Sequence, residues 1–292
     1  MTICIAAIHN DGGIIGVADK MISTEGMAFE PKGNSKKIFC LCAAINALNA
    51  GHIGLQAEIM ESMQALGNAE RSQNREKKFT VKELVDRYVD CYNEIKRKRI
   101  KDLVFAPWNL DENSFLARQK EFSDVFVRDL MDQAAQVRLP DVATIIAGVD
   151  TSTGQLEPHI YCIQRGYYQN SIECCDAVGY ATIGSGAHHV ESYFMQSQFT
   201  RHFSMPKALL LSYFAKRRSE IAPNVGEQTE IFLVGPTFGV NATLENVLDW
   251  KKMDEMYEKI VLNEKAQTDS ALVEIADYLK DKLPILAPSK FG

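Results

Sequence analysis

Several things are scarce in this chain, and each scarcity removes a class of protein. The longest uninterrupted apolar run, Ile38 to Ile45, is eight residues, far short of the roughly 20 that cross a bilayer as a helix. No transmembrane helix is expected. The start, Met1-Thr2-Ile3-Cys4-Ile5-Ala6-Ala7-Ile8, turns polar at His9-Asn10-Asp11 and lacks both a basic leader and a full-length apolar signal core, which predicts a cytoplasmic chain. The seven cysteines are odd in number, sit mostly in apolar stretches and show no paired CxxC spacing. Reduced core thiols are expected, and neither a disulfide framework nor a zinc site. Positive charge is not in excess: 32 Lys and Arg stand against 38 Asp and Glu, a net charge of −6, which argues against nucleic acid as a partner. Glycine-rich phosphate loops, dinucleotide fingerprints, internal repeats and low-complexity tracts are also missing.

What remains is an ordinary globular composition, 292 residues with 46% apolar and 24% charged. Without a compositional break to mark a linker, the chain reads as a single domain over residues 1–292. Ile3 to Ile8 and Ile14 to Ala18, separated by Asn10-Asp11-Gly12-Gly13, predict a β-hairpin. A second strand pair follows at Lys37 to Cys42 and up to Ala50-Gly51. The apolar period then changes, and Ile53, Ala57, Ile59, Met60, Met63 and Leu66 suit a helix face. Gly67 to Lys78 reads as a loop. Thr80 and Glu83 form a capping-box pattern before Leu84, Tyr88, Cys91, Tyr92 and Ile95 at helical spacing. Lys96-Arg97-Lys98-Arg99 with Lys101 reads as the solvated end of that helix.

Residues from about 101 to 139 read as a helical insertion, with Ser123 as a cap and Phe126, Val127, Leu130, Met131 and Ala134 as its apolar stripe. Strands resume at Val142 to Val149, His159 to Gln164 and Ala177 to Ile183. Two helices, Ala187 to Phe199 and Pro206 to Ile221, precede a strand at Glu230 to Val234. Beyond about residue 240 a helical C-terminal extension is expected, with segments at Leu244 to Val261 and Ala271 to Leu283. Runs of strands alternating with runs of helices imply sheets of hairpins packed between helix pairs, an α+β class. Trp108 and Trp250 read as packing anchors. His188-His189, about 100° apart on a helix, make a poor metal pair.

Five residues carry the chemical reading. Thr2 follows the initiator methionine, and a terminal threonine supplies a nucleophilic hydroxyl and a basic α-amine together. That amine has a reference pKa of about 7.7 to 8.0, suited to a general base near neutrality. Asp19 ends the second strand, Lys37 opens the next, and Gly51 follows Lys37 by fourteen residues. Ser185 stands within Gly184-Ser185-Gly186. Each has a plainer reading: a strand-end turn residue, a surface lysine, a turn glycine. Together they resemble the proteasome β-type subunits of the N-terminal-nucleophile hydrolases, including the bacterial heat-shock peptidase, over roughly Thr2 to Gly54 and Ile145 to Glu191.

That resemblance implies a four-layer αββα sandwich of two antiparallel sheets flanked by helices. It implies Thr2 as nucleophile after removal of Met1, Lys37 as the cation that tunes it, and Asp19 holding Lys37. It further implies the Gly51 N–H as oxyanion donor and Ser185 beside the α-amine or the hydrolytic water. Asn49 and Ile53, flanking Gly51, are implied to line the pocket for the residue preceding the scissile bond. No cofactor or metal is implied. The implied partners are peptide or unfolded-protein substrates, further copies of the chain in a homo-oligomer or ring, and an unfoldase. One departure stands out. The family places an Asp and then a Ser before its last core strand, whereas Glu220-Ile221-Ala222-Pro223-Asn224-Val225-Gly226 holds no serine, leaving Glu220 or Asn224 as substitutes. Two alternatives therefore stay open: a non-catalytic scaffold of the same fold, and an amidase acting by the same mechanism on a small molecule.

Overall fold

The chain's first two strands, β1 (Ile3–His9) and β2 (Gly13–Asp19), form a hairpin in register His9 with Gly13. Every residue of both strands is buried, as sequences apolar up to a terminal His9 and Asp19 lead one to expect of strands covered on two faces. The computed structural model describes all residues except 1, 25–26, 30–36, 43, 74–77, 151–155, 168–169, 236–238, 244–249 and 283–292. It is an α+β structure in which the described strands make two five-stranded antiparallel sheets and one two-stranded sheet. These residues fall into two compact units, Met1–Glu245 and Asn246–Gly292.

In the first unit, a short hairpin of β3 (Ile22–Thr24) and β4 (Met27–Phe29) leads to β5 (Ile38–Cys42) and β6 (Ile45–Gly51). Helices α1 (Ile53–Gln73) and α2 (Val81–Ile100) follow. The insertion contains a π-turn at Lys101–Phe105, α3 (Glu112–Arg118) and α4 (Asp124–Gln136). Next come β7 (Val142–Asp150), β8 (Glu157–Arg165), β9 (Asn170–Cys174) and β10 (Tyr180–Gly184). Helices α5 (Ala187–Gln196) and α6 (Met205–Ser219) precede β11 (Thr229–Gly235) and β12 (Gly239–Thr243). One sheet runs β10-β1-β2-β11-β12, the other β5-β6-β7-β8-β9.

Alternation along the strands decides what each face meets. Even-numbered residues such as Cys4, Ala6, Ile8, Leu48 and Ala50 join Ile145, Ala147, Ile160 and Phe232 in a core drawn from both large sheets. Odd-numbered Ile45 and Ala47 of β6 instead pack with Leu55, Ile59, Met63, Val85 and Tyr88 of α1 and α2. Helix α6 lies against β1 and β2, and α5 against β10. The insertion builds a small core of its own from Val104, Phe105, Leu110, Phe115 and Leu130.

Several expectations need correcting. The predicted loop from Gly67 is helical to Gln73, because Gly67 is in open space and Glu70 is tied to Arg87 of α2 at 2.5 Å. Neither the hairpin β3-β4 nor strand β9 was expected. The third strand of the later group begins at Tyr180 rather than Ala177. Gly239–Thr243, placed by the sequence in a helical extension, is a strand because it pairs with β11 along the open edge of its sheet. Among the described residues of the second unit there is one helix, α7 (Trp250–Lys282), in place of two. With neither proline nor glycine between those residues, nothing breaks the helix. Residues 244–249 and 283 of the expected segments lie outside the described residues. Among the described residues, no helix is long and apolar enough to cross a membrane.

Candidate active site

Thr2 enters the structure one residue before β1 and is only 3% exposed. On one side β1 pairs with β10, placing Ile3 opposite Gly184. Gly184 adopts φ +107°, and a Cβ there would lie 2.0 Å from the Thr2 carbonyl oxygen, so only glycine admits this approach. The Gly186 N–H donates to that same carbonyl at 3.5 Å. The Gly184-Ser185-Gly186 turn thus fixes the Thr2 main chain.

On the other side β2 pairs with β1, and the Asp19 carboxylate at its end reaches back to the start of β1. Asp19 is fully buried, and burying a charge demands complete hydrogen bonding. Its Oδ1 accepts from the Ile3 N–H at 2.9 Å, from Lys37 Nζ at 2.6 Å and from the Thr2 hydroxyl. Its Oδ2 accepts from the Met21 N–H at 3.2 Å and the Gly226 N–H at 2.9 Å. Lys37 Nζ also donates to Thr2 Oγ1. Hydroxyl, carboxylate and ammonium therefore close a triangle, with the hydroxyl accepting from the cation and donating to the anion.

Lys37 is held through its main chain as well. Glu230 of β11, 3% exposed, turns its carboxylate to the N–H groups of Lys37 (2.6 Å) and Ile38 (3.2 Å). The Lys37 carbonyl accepts from the Asn49 N–H at 3.0 Å, and the Asn49 carbonyl accepts from the Cys4 thiol at 3.5 Å. Burial pushes the Cys4 thiol well above its ordinary range, so it stays protonated and serves as a donor.

Two residues past Asn49, Gly51 ends β6 at φ +99°, where a Cβ would lie 2.5 Å from the Asp141 carbonyl oxygen. The chain then turns into α1, with the His52 N–H taking that Asp141 carbonyl at 3.1 Å. Asn49 itself directs its side-chain oxygen to Thr144 Oγ1 (2.9 Å), within a buried set that includes Gln56 and Tyr88. Ile53, first in α1, is 46% exposed. The Ser185 hydroxyl donates to the Pro223 carbonyl at 3.3 Å.

Thr2, Asp19 and Lys37 are thus in direct contact, Ser185 is joined to Thr2 through the backbone of its neighbours, and Gly51 lies along the strand that carries Asn49. Sequence reasoning missed Glu230, Gly226 and Cys4. The only signal for Glu230 was an acidic residue opening an otherwise apolar strand; for a main-chain donor such as Gly226 no side-chain signal exists. A cavity of about 220 Å³, lined by residues including Cys40, Met63, Phe79 and Arg87, opens against α1 and α2, and none of the predicted site residues lines it. Among the described residues, no group of three or more His, Cys, Asp or Glu side chains is suited to a metal ion. Compared with protein-family models and with curated proteins, the sequence matches none.

Proposed function

We propose that the chain is an N-terminal-nucleophile amidohydrolase of the proteasome β type, built as a four-layer αββα sandwich, with Thr2 as its nucleophile. The observation that carries this reading is the buried triangle of Thr2 hydroxyl, Asp19 carboxylate and Lys37 ammonium. A cation against a hydroxyl favours its deprotonated form.

The reaction begins once the residue preceding Thr2 is removed and its α-amine is free. Thr2 Oγ forms a bond to the carbonyl carbon of a substrate amide while its proton passes to the α-amine, directly or through a water. The carbonyl oxygen becomes an oxyanion facing the Gly51 N–H, a donor of a kind worth roughly 2.7 to 4 kcal/mol in the transition state. The carbon–nitrogen bond then breaks, and the leaving amine takes the proton from the α-amine. Water, deprotonated by the same amine, hydrolyses the Thr2 ester and returns the hydroxyl. Asp19 keeps Lys37 charged and aimed throughout. On this reading the substrate is a peptide or unfolded segment met in the cytoplasm, no cofactor takes part, and copies of the chain assemble around the sites, with an unfoldase as a further partner.

A second reading, a non-catalytic member of the same fold, draws on one observation: the Ser185 hydroxyl donates to the Pro223 carbonyl. Hydrolysis of a peptide-amide panel by wild type, Thr2→Ala and Thr2→Ser separates the two, with intact mass reporting the N-terminus. Catalysis requires a free Thr2 amine, loss of at least about 1,000-fold in kcat for Thr2→Ala and partial retention for Thr2→Ser. Equal rates for wild type and Thr2→Ala would remove Thr2 as the nucleophile toward these substrates, and no hydrolysis by either would leave the scaffold and the small-molecule amidase.

A further inference from the structure

Behind Asp19 lies a cation that the proposed mechanism does not use. Lys216 of α6 has none of its surface exposed, and its ammonium donates to Glu220 Oε1 and to the Glu227 carbonyl, each at 2.6 Å. Arg217 also reaches Glu220, at 3.1 Å. Burial holds Lys216 below the ordinary lysine pKa and pushes the Glu220 carboxyl above the ordinary carboxylate value. Both charges are thus disfavoured where they sit, and replacing such a pair by neutral groups is often harmless or stabilising. Its contribution is better looked for in what it holds than in stability.

It holds the loop between α6 and β11, the stretch in which the expected serine is missing. Gly226, immediately before the clamped Glu227, sends its N–H to Asp19 Oδ2 at 2.9 Å. Gln228 then accepts from the Lys20 N–H at 3.1 Å, and Pro223 accepts from Ser185 at 3.3 Å. We infer that Lys216 is a positioning residue for the Thr2 site: by gripping the Glu227 carbonyl it fixes the loop so that the Gly226 N–H caps the outer oxygen of Asp19. The backbone donor stands where a side-chain hydroxyl was expected. This inference rests on the reading of Thr2 as nucleophile.

The charged groups facing Lys216 are Glu220 and Arg217 from its own helix and Asp19 from β2. On α5, Tyr193 lies under Arg218, two residues along α6 from Lys216. Because burial lowers its pKa, Lys216 loses its proton, and with it the grip, on the alkaline side before an exposed lysine would.

The test uses the full chain as wild type, Lys216→Met with Glu220→Gln, and Lys216→Arg. For the double variant kcat is expected to fall about 10- to 100-fold with KM within about twofold and with no loss of thermal stability. The alkaline fall in kcat expected of wild type from loss of the Lys216 proton should be absent from it. Lys216→Arg should restore kcat near neutrality and move that fall to higher pH, because guanidinium stays charged. Hydrogen exchange is read in parallel and needs no turnover: the Gly226 N–H should be protected in wild type and exchange freely in the double variant, while Val17 and Ile231 stay protected.

Unchanged kcat, or reduced kcat with an unmoved pH profile, overturns the inference, as does Gly226 protection that survives the double substitution. If the double variant fails to fold, the pH profile of Lys216→Arg decides. If wild type shows no Thr2-dependent hydrolysis, the reading of the site fails, and exchange at Gly226 alone settles the role of Lys216.

Discussion

Asp19 shows how much one side chain can organise. Its two oxygens take five donors from β1, from the chain after β2, from the approach to β5 and from the loop before β11. A buried carboxylate is tolerable only when so satisfied, and here satisfying it gathers the nucleophile and the cation in one place. The part of the site that sequence revealed follows from this: Thr2, Asp19 and Lys37 are side chains at strand ends, where register fixes position. Lys216 and Glu230 were not legible, because they reach the site from more than 190 residues along the chain, through topology and not through spacing. At Gly51 the residue scale also makes a sharp demand. Gly51→Ala keeps the N–H, but the added Cβ meets the Asp141 carbonyl at 2.5 Å and the residue is strained at φ +99°. We expect about 1 to 3 kcal/mol of lost stability in chemical denaturation and at least a tenfold fall in kcat with KM little changed. An unaltered kcat would remove Gly51 from the mechanism.

At the scale of elements, the sequence was clearest where local chemistry and burial agree. Helix α2 has both halves of its capping box: the Glu83 N–H donates to the Thr80 hydroxyl at 3.2 Å and the Thr80 N–H to the Glu83 carboxylate at 2.9 Å. Its Val81 N–H is taken by Asp150, at the end of β7, at 2.7 Å. The helix start is therefore tied to the sheet, and its buried stripe, Leu84, Tyr88, Cys91, Tyr92 and Ile95, follows the predicted spacing. Strand β9, Asn-Ser-Ile-Glu-Cys, is mostly exposed along the edge of its sheet. Its existence depends on pairing with β8, which no local pattern announces. Strand β12, at the edge of the other sheet, likewise depends on its pairing with β11. Thr80→Ala should lower stability by about 1 kcal/mol, a fall of about 2 to 4 °C in Tm by calorimetry. It should leave the Thr2 site unaffected, since α2 packs on the far face of the sheet carrying Lys37's neighbours. A loss of activity with no change in Tm would show that the two are coupled in a way the packing does not provide.

Over the whole molecule, stability and the candidate chemistry are concentrated in one part of the chain. Thr2, Asp19, Lys37, Gly51, Ser185, Lys216, Gly226 and Glu230 all lie within the unit Met1–Glu245, as do the residues named above in the cores of the large sheets, of α1 and α2, and of the insertion. The second unit has a different character. In α7, Met253 is buried, while Leu272, Ile275 and Leu279 recur at intervals of three and four residues and are all exposed, the spacing of an apolar helix stripe. A chain ending at Glu245 is therefore expected to keep a cooperative transition within about 3 °C of the full-length Tm and to retain the same hydrolysis rate and the same dependence on Thr2. Calorimetry and steady-state kinetics on the two lengths check this directly. A Tm lower by about 10 °C or more would mean that α7 supports the sheets. An unchanged Tm with lost hydrolysis would instead make residues beyond 245 necessary to catalysis and not to the stability of the sheets.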